Sequence, residues 1–145
     1  MYNENITTNK RIFQTIHWTC RPEDEELCYL KGKSLEDCQN YVQVLADLDH
    51  SSMYLICGTN CYSPLCRHYR RQESGEYEVE KQFRGRGYAP YHPSQNSSFL
   101  YSHGHLYAAT VADFSGMDAL IMKDPLRTEQ YDFRHLNGEF SYLIN

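Results

Sequence analysis

Two cysteines bound the stretch Cys57-Gly-Thr-Asn-Cys-Tyr-Ser-Pro-Leu-Cys66, and this stretch limits what the chain can fold into more than any other. The apolar run before it, Met53-Tyr-Leu-Ile56, reads as a buried strand. Gly58 and Asn60 tolerate the backbone angles needed to leave that strand. Ser63-Pro64 then makes a turn, and Cys66-Arg-His-Tyr69 opens a second run. Cysteines at either end of such a loop can form a disulfide that staples neighbouring strands. A metal loop is the alternative, because Cys57 and Cys61 have knuckle spacing, but no matching second knuckle exists elsewhere. The staple is the favoured reading.

Short strands flank the loop. Asn40–Leu45 reads as a strand, with Met53–Cys57 returning antiparallel to it, a third strand near Leu65–Tyr69 and a fourth over Tyr77–Phe83. Four short antiparallel strands in a row describe one propeller blade. The pattern then restarts: Ser98–Tyr101 corresponds to Tyr41–Val44, and Leu106–Thr110 to Met53–Cys57, with Tyr54 and Tyr107 standing 53 residues apart. Ala119–Lys123 supplies a third strand of this unit and Gln130–Phe133 a fourth. Upstream, Arg11–Trp18 has Ile12, Gln14, Ile16 and Trp18 on one face, the period of a strand. Glu23-Asp-Glu-Glu26 reads as a solvated acidic loop without the ligand alternation of a calcium site. No sustained helical periodicity is visible, and 13 tyrosines suit half-buried pleated surfaces, so the expectation is all-β.

A net charge of −5, with no basic stripe beyond Arg67, Arg70 and Arg71, argues against nucleic acid as a partner. Six cysteines in 145 residues favour an oxidising compartment. Two glycosylation sequons agree with this, Asn5-Ile-Thr7 and Asn96-Ser-Ser98. The first residues lack the apolar core of a signal peptide, and no run approaches a membrane span. The expectation is therefore a piece of a longer chain whose parent is extracellular or at the cell surface.

Chemistry is sparse. His103-Gly-His105 has a metal-ligand spacing, but the glycine falls at an expected hairpin turn and no third ligand is placed by the sequence. Asp113 and Asp118 are a carboxylate pair on paper. The structural reading is that Asp113 and Ser115 bond backbone amides at a strand end, Gly116 supplies the turn, and Arg127 is the ionic partner. Gly85-Arg-Gly87 precedes no helix, is too short to cradle phosphate, and joins one unit to the next. The sequence thus points to a non-enzymatic chain with no catalytic residue, cofactor, metal or small-molecule substrate.

The loop at Cys57–Cys66 resembles CGTNxxSPxC, a signature of the semaphorin domain, the seven-bladed β-propeller of semaphorin guidance cues. Cys28-Tyr-Leu-Lys-Gly-Lys-Ser34 and Glu36–Leu45 resemble its KGKS and CxNYxxVL segments. Pro90–Ser98 resembles PYxPxxNST, Leu106–Gly116 resembles LYxxTVADFSG, and Leu126–Asp132 resembles LRTEQYD. The resemblance covers nearly all of residues 11–137 in family order. It implies a partial propeller of about two of seven blades: the last strand of the first blade at 11–18, a second blade at 40–83 and most of a third at 97–133. It also implies disulfides Cys28–Cys38 and Cys57–Cys66, each closing a tight loop. Cys20 and Cys61 fall where the family more often has other residues, and Ala89 stands where it carries a cysteine, so the pairing of those two thiols is open. By resemblance the function is that of an extracellular guidance module binding plexin receptors, usually as a homodimer of propellers. Transmembrane classes such as 1 and 5 are the most similar. A plexin-like receptor propeller and a truncated product without signalling function are the alternative readings.

Overall fold

In a computed structural model the chain is described over residues 15–50 and 52–124. One helix, α1 (Pro22–Leu30), precedes seven strands: β1 (Val42–Asp47), β2 (Met53–Gly58), β3 (Leu65–Arg71), β4 (Tyr77–Arg84), β5 (Ser98–Ser102), β6 (His105–Val111) and β7 (Ala119–Asp124). The first four form an antiparallel sheet in sequence order, and the last three form a second one. The described fold is thus mostly strand, in two meanders.

The core lies between the sheets. Val44, Ala46, Leu55, Cys57 and Cys66 face it from the first sheet, and Leu106, Ala108 and Met122 from the second. Tyr88 and Ala89, on the segment joining the sheets, fill the gap. Strand periodicity explains the selection: Val44, Cys57, Cys66 and Phe83 are successive cross-strand partners and share a face, as do Phe99, Ala108 and Met122. Polar links add register between the sheets. Ser97 Oγ donates to Gln43 Oε1 at 3.1 Å, and the Tyr101 hydroxyl to the Leu48 carbonyl at 3.3 Å. The joining segment is tight: Gly85 donates to the Pro64 carbonyl at 2.7 Å, and a Cβ there would lie 2.7 Å from the Leu65 nitrogen. Only glycine fits.

Two expectations change. The acidic run is the first turn of α1, not a solvated loop. Proline in that turn and Glu23, Asp24 and Glu25 behind it are helix-start signals that suit the positive end of the helix dipole. The helix buries only Cys28, so it carries no apolar stripe for a periodicity search to find. The strand expected over 11–18 is absent from its described part, 15–18, which is irregular; 11–14 lie outside the described residues. Trp18 is held by side chains instead, its ring under the Arg67 guanidinium at 4.3 Å and its carbonyl accepting from Asn40 Nδ2 at 3.4 Å. On β7, Met122 points into the core while Ala119 and Ile121 are exposed. The strand expected over 130–133, and Arg127, lie outside the described residues.

Candidate interaction surface at the disulfide-bonded end

At one end of the two sheets, α1, the turn after β2, the joining segment and the loop after β6 meet around a second buried cluster of Cys28, Cys38, Cys61 and Tyr62. Cys20, Tyr91 and Phe114 pack against it. Three disulfides organise this end. Cys28 on α1 pairs with Cys38 in the loop that follows, Cys57 on β2 pairs with its cross-strand partner Cys66 on β3, and Cys20 pairs with Cys61 across 41 residues. That third bond settles the pairing the sequence left open, and it fastens the irregular segment before α1 to the turn after β2.

The turn it fastens has an uncommon backbone. Asn60, Cys61 and Tyr62 have φ of 44°, 55° and 57°, three successive non-glycine residues in the left-handed region. Each costs on the order of 1 kcal/mol, so the surroundings must over-determine the turn. They do: the Asn60 amide donates to Asn40 Oδ1 at 3.0 Å, Asn60 Nδ2 to the Ser63 carbonyl at 3.0 Å, and the Cys61 amide to the Gln39 carbonyl at 3.1 Å. Buried Thr59 bridges the same segment, its hydroxyl donating to Gln39 and accepting from the Tyr41 amide, both at 3.0 Å. Gly58, expected to supply a turn angle, serves closeness instead: a Cβ there would sit 2.2 Å from Asn40 Oδ1.

Across the cluster, His92 Nδ1 accepts from the Ser94 amide at 3.0 Å, which leaves Nε2–H to donate to Asp37 at 2.8 Å. This contact ties the loop after α1 to the segment joining the sheets, 55 residues away. The imidazole bond, followed by bonds from the Ser34 hydroxyl and amide, lowers the Asp37 carboxyl to about 2. A depressed carboxyl stabilises the fold above its unfolded value and loses that contribution as pH falls through the folded one. The deficit of an Asp37→Ala variant is therefore expected to be constant above about pH 4 and to vanish toward about pH 2. Urea titrations of both proteins at stepped pH measure it; a deficit that grows on acidification contradicts the assignment.

The remaining sequence-stated candidates are spread out. Asp113 closes its own loop, accepting from the hydroxyl and amide of Ser115 and from the Asp118 amide at 2.7 Å, and these bonds hold its carboxyl below the usual range. His103 and Gly104 have φ of 51° and 78°, the two left-handed positions of a hairpin turn between β5 and β6, with His105 opening β6. Asn96 is exposed just before β5, and Asn5 lies outside the described residues. Lys33 Nζ sits 4.6 Å from the Tyr62 ring centre and 4.9 Å from that of Phe114. What the end offers is a rigid set of loops with cations over aromatic rings.

No protein-family model matches the chain. Semaphorin-1A of Schistocerca americana is 56% identical over 125 residues, 86% of this chain and 17% of its own length. Human Semaphorin-5A is 40% identical over 149 residues, 92% of this chain and 14% of its own length. Among solved structures, Drosophila Semaphorin 1b, extracellular domains 1-2, is 49% identical with a TM-score of 0.68, over 84% of this chain and 23% of that one. The chain belongs to the semaphorin family. The two sheets are accordingly parts of a semaphorin β-propeller, and the chain spans under a fifth of the length of these curated insect semaphorins. A chain in the complex of Drosophila plexin A with semaphorin 1b matches with the same identity, TM-score and coverage as semaphorin 1b by itself. Within the semaphorin frame, the stapled end is one set of propeller loops, and the exposed Leu45, Leu100 and Ile121 lie on the outward sheet faces.

Proposed function

We propose that this chain is part of the propeller of an extracellular semaphorin ligand that engages a plexin receptor, with β1–β4 as the second blade and β5–β7 as most of the third. The observation that carries this reading is the match to the plexin A–semaphorin 1b complex, equal in every value to the match with semaphorin 1b alone. It supports the ligand over a plexin-like receptor. Three disulfides suit an oxidising, extracellular setting. Homodimerisation of the complete propeller belongs to the same reading.

Grafting tests it. Replacing the matching segment of Drosophila semaphorin 1b with this chain is expected to keep plexin A binding within about ten-fold, because affinity follows preorganised geometry. The chain alone is expected to bind at least about a hundred-fold more weakly and to self-associate through its outward apolar strands. A folded graft that does not bind overturns the proposal.

Asn96 is proposed to carry an N-glycan, and Asn5 is a second acceptor by its sequon. Intact mass from a secreting eukaryotic host, compared with the Asn96→Gln variant, is expected to differ by one glycan. Equal masses, apart from the substitution, refute it.

A further inference from the structure

Four cationic side chains line one cleft of about 410 Å³ between the end of α1, the turn after β2 and the residues leaving β4. Arg21 at its rim is already held by Asp24, with bonds of 2.9 and 3.2 Å. Of the other three, Lys31 stands far in sequence from the neighbouring Arg84 and Arg86, and none has a carboxylate partner among the described residues. Two of them are set in place. Lys31 Nζ lies 4.9 Å from the centre of the Phe114 ring. Arg86 Nε donates to the Ala112 carbonyl at 2.6 Å, which leaves its terminal nitrogens for a ligand. Tyr91 also lines the cleft; burial raises its phenol, and the nearby charges of Arg86 and Arg84 oppose that rise. Asp113 also acts on Tyr91, but its oxygens are turned to Ser115 and to the Asp118 amide.

Three unpaired like charges around one concavity repel one another, on a chain whose net charge is −5. An anion removes that cost. Guanidinium forks match tetrahedral oxyanions in two-point contacts, a lysine adds a point charge, and a tyrosine ring beside them suits the apolar face of a sugar. We propose that this cleft binds sulfate groups of an extracellular sulfated oligosaccharide, held by Lys31, Arg84 and Arg86. The anion site stands on the geometry; the choice of sulfate over phosphate rests on the extracellular reading above.

The test is calorimetric titration of the complete chain, from an oxidising host, with a heparin-derived octasaccharide at about 0.15 M salt, near physiological ionic strength. Binding is expected with the octasaccharide and not with its desulfated form. Lys31→Gln/Arg84→Gln is expected to weaken it about a hundred-fold, roughly ten-fold per charge-assisted contact, while Arg71→Gln/Lys81→Gln, outside the cleft, changes it less than about three-fold. Lys31 and Arg84 are exposed, so the double variant is expected to keep the wild-type urea midpoint. As a second reading, Arg86→Lys keeps the charge but loses the fork and is expected to weaken binding about ten-fold. No binding, equal weakening by both double variants, or undiminished binding of the desulfated sugar overturns the site. Tighter binding of an inositol phosphate than of the octasaccharide overturns the sulfated-sugar assignment. None of these readings involves plexin, so they are independent of the graft.

Discussion

Replacing Cys20 and Cys61 together by alanine is expected to lower folding stability by about 4 kcal/mol, more than loss of either other disulfide. The two are 41 residues apart, and in the chain-entropy model closing a loop that long restrains the unfolded chain by about 4 kcal/mol. Loops spanning 10 and 9 residues contribute about 3 kcal/mol each by the same relation. Total stabilities run to about 5–15 kcal/mol, so the double variant loses a large share. Losing the bond also frees Asn60–Tyr62 to leave the left-handed region, which offsets part of the deficit. Urea unfolding of the oxidised variants gives the comparison, and a Cys28→Ala/Cys38→Ala protein less stable than Cys20→Ala/Cys61→Ala contradicts it.

Leu55→Ala is expected to cost about 3–4 kcal/mol. Leu55 is 0% exposed and sits in the core shared by both sheets, beside Val44, Cys57 and Leu106. The strands around it are pinned by the Cys57–Cys66 disulfide and by ladders on both sides, so the site cannot collapse to fill the space left by the lost carbons. The comparison is Leu30→Ala, whose side chain is 76% exposed at the end of α1 and whose replacement is expected to change stability by under about 0.5 kcal/mol. Equal unfolding midpoints for the two variants refute the account of the core.

The strands were legible because a half-buried strand writes its period into the sequence. Val44 and Ala46 inward with Leu45 outward, or Leu106, Ala108 and Thr110 inward with Tyr107 outward, can be read directly. Residues whose role depends on a partner far along the chain were not legible. Cys20 and Cys61 are joined through irregular segments whose approach no local pattern encodes, and Asp37 meets His92 only because the segment joining the sheets folds back over α1. The helix escaped for the opposite reason: its start signals are present at Pro22–Glu25, but with one buried side chain it has no face to repeat. The cleft of Lys31, Arg84 and Arg86 belongs to the first kind. Each is an ordinary surface cation in sequence, and only the turn after β2 and the course of the chain beyond Gly85 bring them together.

All three covalent links lie between residues 20 and 66, and the second sheet has none. Under tension applied along the chain, the two halves must therefore yield differently. The segment between Cys20 and Cys61, which stand 41 positions apart, cannot pay out at all, which conceals about 140 Å of contour at the length of an extended residue. β5–β7 is a meander of ladders that opens one pair at a time. A pulled molecule would lengthen first through its second sheet, while the stapled end kept its shape as a rigid grip.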